Sequence, residues 1–320
     1  MDDQTKVEIV GQIADLVAKK YVFPQVGEQI ADHLRRRLAE GDPFPSLTPV
    51  DFANALTQEL HATSQDTHLQ LDYDPDQAAG GGSTEELMRH HFERARRGNL
   101  GFAKAERLAG NIGYLAVREF PPREIAGEIA AGAMAFVANT QALIFDIRGN
   151  GGGTPEMVQL LISYLVGEAP QPLSGIYSRD TDHTELFQTL PEVPGKRMLN
   201  VPVYVLVDRQ THSAAEAFAY DLQALKRAIV VGERTRGGAH LVDFCPLQNM
   251  FVLRVPVARA INPITGKNWQ GSGVIPDIEV PAEQALQVAH SRALNELLES
   301  AKDADERAFL QAEMETLQSH

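Results

Sequence analysis

Ala142-Leu-Ile-Phe-Asp-Ile-Arg-Gly-Asn-Gly-Gly-Gly153 is the stretch whose reading decides the fold. Its first half is a short run of branched and aromatic apolar residues, the composition of a strand buried on both faces. A charged pair, Asp146 and Arg148, ends that run, and four glycines fall within the next five residues. Thr154-Pro155-Glu156 follows, a helix start with a capping hydroxyl and proline at the first helical position. The local pattern is strand, glycine turn, helix. Such a loop can turn backbone N–H groups toward an anion, either a stable phosphate or a transient oxyanion.

Around that stretch lie 320 residues, enough for one large domain or two moderate ones. A composition of 43% hydrophobic and 22% charged residues is that of a soluble globular protein. The net charge of −14, from 29 basic and 43 acidic residues, argues against a nucleic-acid or anionic-membrane surface. A single cysteine, Cys245, excludes an intrachain disulfide and cannot alone build a metal site. No apolar run approaches the roughly 20 residues that span a bilayer. Met1-Asp-Asp-Gln-Thr-Lys6 lacks a basic start with an apolar core behind it. A cytoplasmic location follows for the chain as given, and an exported or periplasmic one if a leader was removed.

Residues 5–62 read as three amphipathic helices. Val7, Val10, Ile13, Leu16 and Val17 recur at helical spacing in the first. Ile30, Leu34 and Leu38 do so in the second, beside an Arg35-Arg36-Arg37 run expected on a solvated face. The third starts at a Ser46/Thr48 cap region and carries Phe52, Leu56 and Leu60. At Asp66–Leu71 the pattern changes to alternation, as in a strand. Gly80-Gly-Gly-Ser83 predicts a flexible loop, and a polar helix is expected through Arg97; its His90-His91 pair lacks a spaced partner for a metal. From Gly101 onward strands alternate with helices, which predicts an α/β unit. Its strands are expected at 102–108, 112–117, 142–146, 176–177, 185–189, 201–207, 228–231 and 251–257. A closing helical pattern begins near Ala282, and the tail after Lys302 suits packing on the body or on a partner subunit.

Ser213 falls just after the buried strand 201–207 and at the start of a small-residue helix. Serine is a good N-cap, and that is the ordinary reading. The same position suits a nucleophile, because helix N-terminal amides can stabilise a developing oxyanion. The residues alone leave both readings open.

Three blocks in fixed order resemble the C-terminal processing (tail-specific) serine peptidase family: Asp146-Ile-Arg-Gly-Asn-Gly-Gly-Gly153, Thr211-His-Ser-Ala-Ala-Glu216 and Val231-Gly-Glu-Arg-Thr-Arg-Gly-Gly238. Asn99-Leu-Gly-Phe102, Gly110-Asn-Ile-Gly-Tyr-Leu115 and Asn268-Trp-Gln-Gly-Ser-Gly-Val-Ile-Pro-Asp277 support the likeness. The nearer branch is the one related to interphotoreceptor retinoid-binding protein and the tricorn core. The resemblance implies a crotonase/ClpP-like ββα-spiral core over residues 66–320, with an N-terminal three-helix bundle over residues 1–65. It implies Ser213 as nucleophile, the amides of Ala214 and Gly153 as oxyanion donors, His68 as general base and Thr67 as the hydroxyl that orients it. It further implies a peptide or protein substrate, no cofactor and no metal, and it leaves a homo-oligomer open.

The chain departs from the family pattern in three places. The family's dyad lysine falls at Gly238, so activation of Ser213 must come from a histidine. The acidic member of the tricorn-like tetrad falls at Gln270, whose amide cannot compensate an imidazolium as a carboxylate does. The segment between His68 and the Asn99 block leaves no room for a peptide-binding PDZ module. His240 and His212 are alternative bases. Pairing of Asp146 with Arg148 is expected to hold the glycine loop, and Asn262 and Trp269 are cleft or core candidates. A different class of function, a non-catalytic binding module for a retinoid, fatty acid or peptide, is kept open by Gln270 and the missing lysine. A phosphate site at Gly149–Gly153 is disfavoured, since neither a Gly-Lys-Ser/Thr ending nor a G-x-G-x-x-G spacing is present.

Overall fold

The computed structural model describes residues 1–41, 47–79 and 96–318. In chain order its elements begin with α1 (Asp3–Lys20), α2 (Pro24–Ala39), α3 (Pro49–Ser64), β1 (Gln70–Tyr73) and α4 (Pro75–Ala79). Next come β2 (Phe102–Leu108), β3 (Ile112–Val117), α5 (Arg123–Val137), β4 (Ala142–Asp146), α6 (Pro155–Ser163), β5 (Gly175–Ser178) and β6 (His183–Glu185). The remainder is β7 (Val203–Val207), α7 (Ala214–Ala224), β8 (Ile229–Gly232), β9 (His240–Leu247), β10 (Phe251–Ile261), β11 (Ile278–Glu279), α8 (Ala285–Ser300) and α9 (Ala304–Gln318). Ser46, the Gly80–Ser83 loop, the helix expected before Arg97 and the His90-His91 pair lie outside the described residues, apart from the end at 96–97.

The chain divides into two compact units. The first comprises Met1–His91, Gly175–Glu185 and His240–Ile261. Its helices start where local chemistry satisfies their free amides: Asp2 accepts from Thr5 N–H at 2.7 Å, and the Thr48 hydroxyl accepts from Asp51 N–H at 3.2 Å. Ile9, Val10, Ile13 and Val17 of α1, Ile30 and Leu34 of α2, and Phe52, Leu56 and Leu60 of α3 form one buried cluster. That cluster also takes in Leu71, Leu247, Phe251, Leu253 and Val255, so the helices share their core with a sheet. Val7, placed by its spacing on the apolar face, is exposed. In that sheet β10 pairs antiparallel with β9, with β1 over its first residues and with β5 over its last, and β6 extends from β5. The Arg35–Arg37 run is not simply solvated. Arg35 reaches Asp15 of α1 at 2.9 Å, and Arg37 reaches Glu59 of α3 at 2.9 Å, which ties α2 to both neighbours.

The second unit comprises Phe92–Ser174, Leu186–Ala239 and Asn262–His320. Its sheet runs β11-β8-β7-β4-β3-β2, parallel throughout except for the antiparallel pair β2–β3. β4 and β7 are buried along their whole length, as continuous apolar runs require. Ala142 and Ile144 join a core with Tyr204, Leu206 and the alanine-rich face of α8, while Phe145 packs edge-on against Phe218 of α7 at 5.0 Å. Leu310 of α9 is buried in the same core as α8, which places the C-terminal tail on the body of this unit. One expectation fails at the start of α6. Pro155 does occupy the first turn, but the Thr154 hydroxyl makes no capping bond and is buried without a partner among the described residues. The Thr154 N–H is drawn to the Phe120 carbonyl at 2.7 Å, and the side chain turns away from the free helix amides.

A buried carboxylate on α7 ties two chain segments together. Asp221 accepts from the Ser174 hydroxyl at 2.6 Å, from Ser174 N–H and from the Asn262 amide at 2.8 Å. Asn262 is thereby a core residue: its own amide oxygen accepts from the N–H groups of Ile264 and Thr265 at 3.0 Å. Burial pushes the Asp221 carboxyl up from 3.8 to about 6, because all of these donors are neutral and do not offset the lost hydration. The folded state therefore binds this proton more tightly than the unfolded chain does. The resulting stabilisation is complete below about pH 4 and is lost as pH rises through about 6, roughly 3 kcal/mol in all. Urea unfolding followed from pH 4 to 7 is expected to show this loss in wild type, and Asp221→Asn is expected to flatten it.

Candidate active site

The sequence-predicted site residues fall in both units. Ser213, Ala214, Gly153, His212 and Gln270 belong to the second, and Thr67, His68 and His240 to the first.

In the second unit, β7 delivers the chain to a loop held by Asp208. This carboxylate accepts from Gly149 N–H at 3.0 Å, from Gln210 N–H at 3.0 Å and from Thr211 N–H at 2.9 Å, so it joins the glycine loop to the serine loop. Asn150, fully buried, makes a second tie: its carbonyl accepts from His212 N–H at 3.0 Å, and its side chain accepts from Gly152 N–H and donates to the Val117 carbonyl. Beneath the loop, Asp146 takes both Nε and Nη2 of Arg148, at 2.9 and 2.7 Å, plus the Tyr114 hydroxyl at 2.6 Å. Burial opposes ionisation there, but Arg148, Tyr114 and Arg118 outweigh it and hold this carboxyl near 2. The expected Asp146–Arg148 pair is present and is structural.

Ser213 sits at φ 56 and ψ −122, immediately before α7. An ordinary N-cap lies in the extended region, and a non-glycine residue here costs on the order of 1–3 kcal/mol. The cap reading therefore accounts for the position of Ser213 but not for its backbone. That conformation is held by Glu216, whose carboxylate accepts from Ser213 N–H at 2.9 Å, Gly237 N–H at 2.6 Å, Gly238 N–H at 2.8 Å and the Thr235 hydroxyl at 2.5 Å. Burial raises the Glu216 carboxyl above its ordinary range, with these neutral donors acting against the rise. Gly152 presses on the same turn: a Cβ there would lie 2.8 Å from Ser213 Cβ and 3.1 Å from the Ala214 nitrogen. Gly153 bridges to Phe120 so closely that a Cβ would lie 1.9 Å from the Phe120 carbonyl oxygen.

Gln270 is also in this unit, and its Oε1 accepts from Ala239 N–H at 2.7 Å. Trp269 is a core residue, buried against Tyr220, with its indole N–H on the Gly238 carbonyl at 2.8 Å. His212 has both backbone groups engaged, with Asn150 and with Ala215 N–H.

In the first unit, Asp66 collects two histidines that are 172 positions apart. His240 Nδ1 lies 2.6 Å from Asp66 Oδ2, and His68 Nδ1 lies 3.1 Å from Asp66 Oδ1. The carboxylate also accepts from His68 N–H at 3.0 Å and from the Tyr21 hydroxyl at 3.0 Å. Against the cost of burial, the contacts to His240 and His68 hold Asp66 well below the usual carboxylate range. Burial and the same carboxylate push the Tyr21 phenol up, so it remains a donor. An ionised carboxylate only accepts, which places a proton on each Nδ1 and leaves each Nε2 as the basic nitrogen. Thr67, expected to orient His68, is exposed; the adjacent Asp66 takes that contact. Sequence reasoning missed Asp66, Tyr21, Glu216 and Asn150. An Asp-x-His spacing and an acidic residue one helical turn after Ser213 were the available signals.

A serine at a strained strand-to-helix turn beside a glycine loop is the arrangement used in acyl-transfer sites. Residues 111–280, 170 of the 320, match peptidase family S41, and residues 4–91 match the N-terminal domain of Peptidase_S41 in eukaryotic IRBP. The chain belongs to peptidase family S41. The chloroplastic C-terminal processing peptidase of Tetradesmus obliquus is 28% identical over 180 residues, 54% of this chain and 36% of that protein. Carboxy-terminal processing protease CtpB of Bacillus subtilis is 26% identical over 183 residues, 56% of this chain and 36% of that protein. The chain thus spans little more than a third of the length of these curated relatives. The solved photosystem II D1 C-terminal processing protease superposes with a TM-score of 0.56 at 16% identity, over 87% of this chain and 94% of that one, a likeness of fold. Among the described residues no helix is long and apolar enough to cross a membrane.

The two glycine contacts separate space from flexibility. Gly153→Ala is expected to destabilise by roughly 2–4 kcal/mol, since it meets backbone at a positive φ. Gly151→Ala, with nothing within 4 Å, is expected to stay within about 0.5 kcal/mol of wild type. Urea midpoints of the two variants check both.

Proposed function

We propose that this chain is a serine-type peptidase that hydrolyses peptide bonds, with Ser213 as the nucleophile and a histidine as the base. The observation that carries the reading is the backbone of Ser213, held at φ 56 by a buried glutamate with a glycine loop pressed against it. Such strain is maintained only where surrounding structure over-determines it, and it presents a side chain at the head of a helix. Membership of peptidase family S41 supports the reaction class.

In this mechanism His68 Nε2 takes the Ser213 hydroxyl proton as the oxygen attacks the substrate carbonyl. The amides of Ala214 and Gly153 receive the oxyanion, and the same histidine protonates the leaving amine. Water then hydrolyses the acyl-enzyme. Asp66 fixes the histidine tautomer and compensates the imidazolium that forms, the role for which Gln270 has no charge. In this reading Asp66 supplies the charge that the amide at position 270 lacks. His240, held by the same Asp66, is the alternative base, and His212, with its backbone engaged on both sides, is the weaker one. The substrate class is a peptide or protein, and the processing relatives suggest cleavage near a carboxyl terminus. The crotonase/ClpP-like spiral over 66–320 and the three-helix bundle over 1–65 belong to the same proposal.

A fluorophosphonate probe tests the nucleophile directly. Wild type is expected to label, and Ser213→Ala is expected to fall to background. His68→Ala is expected to slow labelling by about 10²–10⁴-fold, and a larger loss in His240→Ala would transfer the base role to that residue. Equal labelling of wild type and Ser213→Ala removes Ser213 from the mechanism. An unlabelled wild type that binds a fluorescent fatty acid saturably would favour the non-catalytic binding module.

A further inference from the structure

We propose that Asp66, His68 and His240 form a binding site for one zinc-type divalent cation, and that filling it takes both imidazoles out of use as bases. The second half rests on the serine-peptidase reading above; the first half does not. One ligand atom from each of the three residues lies within 4.8 Å of the others. The three side chains are 2%, 10% and 3% exposed for Asp66, His68 and His240, so the donors stand in a largely buried, pre-built setting and not on a surface.

The donor set decides the cation. Two imidazole nitrogens and one carboxylate oxygen suit zinc and its transition-metal neighbours, whereas calcium and magnesium require mostly oxygen. Three protein ligands with a fourth position open to water is the usual count for an accessible zinc site. In a tetrahedron with arms of about 2.1 Å the ligand atoms stand roughly 3.4 Å apart. The present separations, 2.6 Å from His240 Nδ1 to Asp66 Oδ2, 3.1 Å from His68 Nδ1 to Asp66 Oδ1 and no more than 4.8 Å between any two ligand atoms, bracket that value, so side-chain adjustments on the order of 1 Å admit the cation.

The protons balance without an added acid or base. Each neutral imidazole keeps one proton, which moves through solvent from Nδ1 to Nε2 as Nδ1 takes the metal. For His240 that shift gives up the 2.6 Å Nδ1–H contact to Asp66, which the metal bond replaces, and brings the proton to an Nε2 that has no partner among the described residues. The Tyr21 hydroxyl remains on the Asp66 carboxylate at 3.0 Å and steadies it as an outer partner. With Nε2 protonated and Nδ1 on the metal, neither ring has a lone pair left to accept the serine proton. The cation thus acts as a reversible inhibitor built on the residue that also orients the base.

Calorimetric titration of the full chain with Zn²⁺, with Mg²⁺ as the control, is expected to give one zinc per chain and no magnesium binding. X-ray absorption of zinc-loaded wild type is expected to show two imidazole ligands. His68→Gln and His240→Gln are each expected to weaken zinc by about 100-fold or more. Zinc is expected to suppress fluorophosphonate labelling of wild type, with a chelator restoring it. Failure of wild type to bind a stoichiometric zinc, or a bound zinc with fewer than two imidazoles, overturns the site. Because the absorption measurement uses wild type, a variant that does not fold leaves the result decisive. Zinc bound by two imidazoles in a protein whose Ser213 never labels would sink the peptidase reading and keep the metal site; labelling without zinc binding would do the reverse.

Discussion

A buried carboxylate holding one serine at a positive φ is the constraint on which the loop arrangement of the second unit depends. Glu216 has no cation beside it among its hydrogen-bond partners; it is satisfied by three backbone amides and a threonine hydroxyl. Those donors come from the turn at Ser213 and from the 235–238 segment, so one side chain fixes two loops that the sequence separates by about twenty residues. Removing the carboxylate would leave several buried amides unpaired and release the strain at Ser213 together. The strand order serves the same end. Parallel β4 and β7 lie side by side and release the glycine loop and the serine loop from their carboxyl ends, where Asp208 and Asn150 tie the two loops together.

Much of this was legible because it is local. The apolar run 142–146, the glycines after it and Pro155 announce strand, turn and helix with three independent signals, and the element bounds agree closely. Ser213 was readable as a helix start from Ala214 and Ala215 behind it. Its positive φ was not, because nothing in residue types distinguishes a strained serine from an ordinary cap. β9 went unread for a related reason: His240–Leu247 contains a proline and a charged residue and gains its identity from β10, with which it pairs along its length. Thr154 shows the limit from the other side, since a residue type well suited to capping was overruled by the pull of Phe120 on its N–H.

The Asp66 cluster is the least local feature and the one that most changes the reading of the sequence. The family resemblance puts the hydroxyl of Thr67 beside His68 as the orienting group, and His240, after two glycines, reads only as an alternative base. Bringing them to a single carboxylate requires β9 and the turn before β1 to meet in one unit, and no spacing rule encodes that. Once they meet, a carboxylate that position 270 does not offer stands beside both imidazoles, two residues before His68 in the chain.

Four buried acids show why charge state in this protein follows the kind of donor and not the depth of burial. Asp146 and Asp66 are buried, yet both are held low: the first by Arg148, Tyr114 and Arg118, the second by its contacts to His240 and His68. Glu216 and Asp221 are hydrogen-bonded too, but by amides and hydroxyls alone, and both are pushed up. A neutral donor returns part of the hydration lost on burial; a cationic partner adds a Coulombic attraction that grows as the dielectric falls. The division has a functional logic. Asp66 must stay ionised if it is to fix a histidine tautomer, and its contacts to His240 and His68 hold it so against the cost of burial.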